Sequence, residues 1–185
     1  IGYRACYYQN SDDSDEVTGN TAVGYAAMHI NVDGQFSTAV GYESLHQMEP
    51  GSDNTGHNTG LGYRAGRYIS TGLDNTFVGT NAGEGIVGTK LTGSNNVAIG
   101  SSAGVELEGA AHSNTFLGTL AGNTTETGLG NVCLGYNTET SADNSEGQFV
   151  IGNNTTGIAN YTATFGNGSN TASLGIDGSD TSWAA

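Results

Sequence analysis

Proline, tryptophan, cysteine and basic side chains are nearly missing from this chain of 185 residues: one Pro, one Trp, two Cys and four Lys plus Arg. A single Pro excludes a polyproline rod or a Pro-rich linker. Four bases against 18 acids leave a net charge of −14. Without a basic patch, nothing can displace counterions from nucleic acid or hold an anionic membrane. No apolar run approaches the roughly 18 residues of a membrane-spanning helix, so membrane insertion is not expected. Apolar residues are 35% of the chain, below a usual share of about 45–50%. The two cysteines, Cys6 and Cys133, occupy different places in the repeat described next. A bridge between them has no positional support, and buried free thiols are expected.

Glycine is abundant, 31 of 185 residues, without the Gly-X-Y period of collagen. It punctuates a repeated pentad, Asn-Thr-(Ala/Phe)-(Val/Ile/Leu)-Gly. The pentad stands at Asn20 to Gly24, Asn75 to Gly79 and Asn114 to Gly118, and with Val for Thr at Asn96 to Gly100. Close variants end at Gly41, Gly62, Gly135 and Gly152. From Gly2 to Gly152 the successive spacings are 22, 17, 21, 17, 21, 18, 17 and 17 residues. The shortest spacing reads as one complete unit. Longer units carry polar insertions such as Gln9 to Glu16 and Glu49 to Gly56, which read as surface loops. Ile1-Gly2-Tyr3-Arg4-Ala5 matches Leu61-Gly62-Tyr63-Arg64-Ala65, so the chain is expected to begin mid-repeat within a longer polypeptide.

The units are too short for a helix pair, and their apolar residues lack the i, i+3, i+4 spacing of a helix. A short strand, a Gly and a turn fit instead. Stacking such units places like on like, as in a β-solenoid. The expected class is all-β: a repetitive β-solenoid or β-roll fibre, with a shaft over residues 1–152. Beyond Gly152 the glycine rhythm shortens, and residues 153–185 read as a distal β tip. A Thr ladder is expected to hydrogen-bond inside the solenoid. A Tyr ladder (Tyr3, Tyr25, Tyr42, Tyr63, Tyr136) is expected to stack in the scaffold. Each unit offers one aliphatic, one Ala or Phe and one further Ala against a backbone entropy of about 1–2 kcal/mol per residue. One chain looks marginal, so an obligate homotrimer is predicted, intertwined or side by side, sharing the aliphatic face around an axis.

Two stretches carry a resemblance. Asn75-Thr76-Phe77-Val78-Gly79-Thr80-Asn81-Ala82-Gly83 resembles the repeats of bacteriophage tail fibres. Asn96-Val97-Ala98-Ile99-Gly100 is similar to the head repeats of trimeric autotransporter adhesins, although the units here are longer and less uniform. The ending Asp180-Thr181-Ser182-Trp183-Ala184-Ala185 resembles the stretch just before the self-cleaving intramolecular chaperone of endosialidase-type tail fibres. The resemblance implies a virion-borne, extracellular fibre that presents loops and a tip to a host cell-surface glycan. It also implies that Ala185 is the end left by maturation. The rival reading is a bacterial trimeric surface adhesin or a purely structural extracellular fibre.

Nothing in the residues points to catalysis or to a resident cofactor. His29, His46, His57 and His112 are isolated, and carboxylate pairs such as Glu106 and Glu108 sit in variable segments. No Gly-x-Ser-x-Gly elbow or phosphate-binding loop occurs. Asp12-Asp13-Ser14-Asp15-Glu16 has oxygens for calcium but lacks EF-hand spacing. For a glycan receptor the candidates are aromatics off the Tyr ladder beside polar groups, since ring faces stack on sugars while carboxylates and amides take hydroxyls. Tyr7, Tyr8, Tyr68 and Tyr161 are off the ladder. The selected distal set is Tyr161, Trp183, Asp177 and Asp180.

Overall fold

A computed structural model describes residues 1–10, 19–32, 34–49 and 55–178. These residues contain no helix and wind into a β-solenoid of about eight turns. The strands are β1 (Tyr8–Asn10), β2 (Thr21–Val23), β3 (Ile30–Val32), β4 (Gly34–Gln35), β5 (Thr38–Val40), β6 (Gln47–Met48), β7 (Thr55–Gly56) and β8 (Thr59–Leu61). They continue with β9 (Thr76–Val78), β10 (Val97–Ile99), β11 (Thr115–Leu117), β12 (Val132–Glu139), β13 (Phe149–Thr156), β14 (Thr162–Asn167) and β15 (Asn170–Gly175). One sheet of ten strands runs the length of the molecule in the order β15-β14-β13-β12-β11-β10-β9-β8-β5-β2. Every pairing in it is parallel except the last, where β15 folds back on β14. The parallel register runs through Gly152 to β14, and the hairpin then ends it.

The pentad glycines set this register. Gly118 has φ +134°, and a Cβ on it would stand 2.2 Å from the carbonyl oxygen of Gly135 in the next turn. Both the dihedral and the close approach exclude a side chain. This is why the anchor residue never varies while its neighbours do.

Alternation along each strand then sorts the pentad. Its third residue points inward: Ala39, Phe77, Ala98, Phe116, Cys133 and Val150 are wholly buried. The interior is completed from between the pentads by Met28, Leu45, Met48, Ile69, Leu91 and Leu107. Large and small residues offset one another along the stack. A Cβ on Gly83 would lie 2.3 Å from the Phe77 ring, and one on Gly60 would lie 2.8 Å from Leu45.

The pentad Asn is buried as well, and it forms the most regular feature of the fold. Asn58, Asn75, Asn96, Asn114 and Asn131 stack directly. The Oδ1 of Asn96 accepts from both the backbone N–H and the Nδ2 of Asn114, at 3.1 and 3.0 Å. The Nδ2 of Asn96 donates to Asn75 Oδ1 at 3.0 Å and across the turn to the Ala111 carbonyl at 2.8 Å. Each amide is thereby satisfied in a dry interior, where an unpaired polar group would be costly.

The second and fourth pentad residues face outward, which corrects the expectation of a Thr ladder bonded inside the solenoid. Thr21, Thr38 and Thr115 are exposed and do not hydrogen-bond inside the solenoid. Of the aliphatic column, Val23, Leu61, Ile99, Leu117 and Leu134 are also exposed. The physical reason is the narrow coil. The Asn amides, the turn residues and one mid-strand side chain already fill it.

Candidate functional site

The outward columns form one continuous stripe. Val23, Val40, Leu61, Val78, Ile99, Leu117, Leu134 and Ile151 pair register for register along the sheet. On one side lies the Thr column, continued by Val97 and Val132. On the other, the residue after each Gly adds a tyrosine edge. Tyr3, Tyr25, Tyr42 and Tyr63 stack ring on ring at centroid distances of 5.5, 5.0 and 5.2 Å. None of these columns carries a charged residue, in a chain of net charge −14. At about 4.8 Å per turn and about 3.3 Å per residue along a strand, the stripe is about 40 Å long and about 15 Å wide.

Among the described residues charge lies in the turns and at Glu139, the end of β12. Glu43 and Glu84 share Arg64 and Arg67, with N···O distances from 2.9 to 3.8 Å, and the network ties together neighbouring turns. Beside it His29 and His46 stack at 5.0 Å, and the Nδ1 atoms of both rings are buried without a hydrogen-bond partner. Burial holds the His46 imidazole below its ordinary pKa; His29 and Arg67 add to this and Glu43 opposes it. Further along, Glu106, Glu108, Glu126 and Asp143 crowd one another. Desolvation, then Asp143, Glu108 and Glu106, push the Glu126 carboxyl upward. Burial raises Glu139 despite the hydrogen bonds that it accepts from Thr124. The two thiols are free, and burial drives that of Cys133 far above its usual range.

Of the distal candidates, the structure brings Tyr161 and Asp177 to the same end. Tyr161 is half exposed, with its ring against Gly147 and its hydroxyl donating to Glu146 Oε2 at 2.7 Å. That hydrogen bond and the Glu146 charge raise the phenol pKa. The Asn160 Oδ1 accepts from the Glu146 N–H at 2.9 Å, and the Ile176 N–H donates to the Tyr161 carbonyl at 2.7 Å, which sets Asp177 close by. Asp180, Trp183 and Ala185 lie outside the described residues, as does the Asp12 to Glu16 cluster considered for calcium. Tyr7 and Tyr8 pack against His29 near the other end. The Tyr68 ring lies under the Arg67 guanidinium. Among the described residues there is no enclosed pocket.

A further row escaped the sequence reading. One residue before each inward Asn or Gln, and before Ser37 and Thr162 at the matching place, the backbone passes through the left-handed region. Gly19, Gly130 and Gly147 sit there at φ +57°, +65° and +59°. Phe36, His57, Asp74, Asn95, Ser113 and Tyr161 occupy the same place, with φ between +47° and +62°. The signal that could have revealed it is the recurrence of Gly at that one position. No protein-family model, curated protein or solved structure matches the chain.

Proposed function

We propose that this chain is part of a trimeric surface fibre of the phage tail-fibre kind, a rigid rod that presents loops and a distal end to a host cell-surface glycan. Its place is then the virion, outside the cell, and it acts by binding. One observation carries the reading: a single chain leaves a charge-free column of Val, Leu and Ile from Val23 to Ile151, five of its eight residues exposed and the other three half-buried. A projected area of roughly 600 Å² per chain is on the scale of the about 800 Å² per partner of stable interfaces. Three copies sharing the stripe around an axis would bury it, and its lack of charge lets strongly acidic chains approach one another. The stacked tyrosines would flank the shared core, and the acidic turns would stay in solvent. Trimerisation would also multiply weak glycan contacts by avidity.

Native mass measurement tests the assembly. The expected species is three chains. Leu61→Glu with Leu117→Glu puts two charges per chain into the shared face and is expected to give monomers that keep β-sheet circular dichroism. A wild-type chain that stays monomeric at micromolar concentration would sink the reading. A glycan array tests the receptor class, with Trp183→Ala and Tyr161→Ala expected to weaken binding by the intact trimer.

A further inference from the structure

We propose that the left-handed row from Phe36 to Tyr161 is a linear contact track for an extended, uncharged polysaccharide lying parallel to the solenoid axis. The inference rests on the glycan reading above and names residues for it.

The row is continuous. The N–H of His57 donates to the Gln35 carbonyl, that of Asp74 to Gly56, that of Asn95 to Leu73 and that of Ser113 to Ser94, and the ladder continues through Gly130 and Gly147 to Tyr161. The track therefore advances one residue per turn, about 4.8 Å. That is close to the advance of one pyranose along an extended glycan.

Left-handed residues other than glycine recur in these turns, Met28, Leu45 and Leu120 among them, but among the described residues the aromatic ones stand only on this row. Gly fits left-handed backbone without strain, and Asn and Asp tolerate it, but an aromatic residue there is an outlier. Phe36 and Tyr161 accept this strain and yet keep 49% and 47% of their surface exposed. Each ring lies against the glycine of the preceding turn, Gly19 or Gly147, so the same device appears at both ends of the row. Strain held where burial returns little points to a role in recognition. Between the rings the chemistry suits sugar hydroxyls. The Phe36 ring stacks on His57 at 5.5 Å and 15°, and His57 Nδ1 stands 3.4 Å from Asp74 Oδ1. Asn95 and Ser113 follow, both exposed, and then the backbone is bare at Gly130, where a Cβ would meet nothing within 4 Å. This order offers apolar edges for ring C–H groups, with a carboxylate, an amide and a hydroxyl for sugar hydroxyls. The row holds no Lys or Arg, and the chain is strongly acidic, so an anionic polymer is disfavoured. One inward residue, Ser37 or an Asn, separates Phe36, His57, Asp74 and Ser113 from the outward Thr column, and Asn96 separates Asn95 from Val97 in the same column. The track thus borders the shared stripe and stays accessible in the trimer.

The test uses the full chain with mannan, dextran and a soluble β-glucan as neutral probes and alginate as the anionic one, read by titration calorimetry. Phe36→Gly with Asp74→Asn changes the end of the track remote from Tyr161. Gly and Asn already occupy the same row, so the fold is expected to persist with an unchanged or higher melting temperature. The expected result is binding of at least one neutral polymer by the wild type and at least a tenfold loss in the variant. Should the double variant melt early, Asp74→Asn alone carries the test, with a several-fold loss expected. Unchanged affinity in these variants, with loss only in Trp183→Ala or Tyr161→Ala, overturns the track and leaves a glycan-binding tip standing. Binding of alginate alone overturns the uncharged ligand. A wild-type trimer that binds no glycan on an array overturns the glycan reading and the track with it.

Discussion

Replacing Asn96 with Ala interrupts the buried amide stack at its centre. Four hydrogen bonds disappear: from Asn96 Nδ2 to Asn75 Oδ1 and to the Ala111 carbonyl, and onto Asn96 Oδ1 from the N–H and the Nδ2 of Asn114. Asn114 keeps its bond to the Gly128 carbonyl at 2.7 Å, but its backbone N–H and one side-chain proton lose their acceptor. The Ala111 carbonyl loses a donor as well. An orphaned buried group costs about 1–3 kcal/mol. Partial relaxation around the shortened side chain then gives about 3–5 kcal/mol for the set. A chain of this size shifts its melting temperature by about 2–4 °C per kcal/mol, so the expected drop is about 6–20 °C. Asn144→Ala removes the same side chain from an exposed turn and should stay within about 0.5 kcal/mol of wild type. Each turn touches only its neighbours, so hydrogen-exchange protection should fail first around Asn75, Asn96 and Asn114 and persist toward both ends. A melting temperature within 2 °C of wild type, or a loss of protection spread evenly over the chain, would refute the view that the amide stack holds the turns together.

Gly118→Ala forces a side chain onto φ +134°, where its Cβ would lie 2.2 Å from the Gly135 carbonyl. The backbone strain alone should cost about 1–3 kcal/mol, read as an earlier urea midpoint. Acidification should act oppositely on the two ends. His46 has a depressed folded pKa, so the unfolded chain binds its proton more readily. Stability near His29 and His46 is therefore lost as pH falls from the ordinary 6.5 through the folded value. Glu126 and Glu139 have raised folded pKa values, so the folded chain binds their protons more readily, and the later turns gain stability as pH falls through those values toward 4.5. Hydrogen exchange compared at pH 7 and pH 5 should show both trends, and Glu126→Gln should raise the melting temperature at pH 7 but not at pH 4. Cys133 should resist maleimide until the chain unfolds, because its thiol is buried and its pKa is raised.

The coil was legible because its most demanding residue is also its most repetitive. A glycine at Gly118 or Gly135 answers a contact between turns that no other residue allows, so the repeat period is a direct record of the register. Asn stacking on Asn was readable for the same reason, through one residue type at one place. The interior was only half visible. Met28, Leu45, Met48, Ile69, Leu91 and Leu107 fill it from segments that read as variable turns, where left-handed residues break both the twofold and the 3.6-residue periods. Tyr161 was found because it stands off the Tyr ladder. Phe36, His57 and Asp74 were missed because nothing links three such different side chains except the shared backbone twist at their position.

The inverted faces of the pentad matter most for function. In Asn-Thr-Ala-Val-Gly, alternation assigns Asn and Ala to one side and Thr and Val to the other, and hydrophobicity alone would bury Val. Two terms reverse that choice. A buried stack of amides satisfies its own hydrogen bonds from turn to turn, whereas Asn turned outward would exchange those bonds for water. A narrow coil, lined by Leu45, Ile69 or Leu107 from the turns, is also filled by one inward side chain per strand, from Ala39 to Phe116, which leaves no width for a second aliphatic column. Val, Leu and Ile are left outside on a flat strip without charge. A solitary solenoid would gain from polar residues at those places. Their persistence from Val23 to Ile151 is the pattern expected if an aliphatic core forms between chains, as in the proposed fibre, while the core within each chain is built from amides, the third residue of each pentad and side chains from between the pentads.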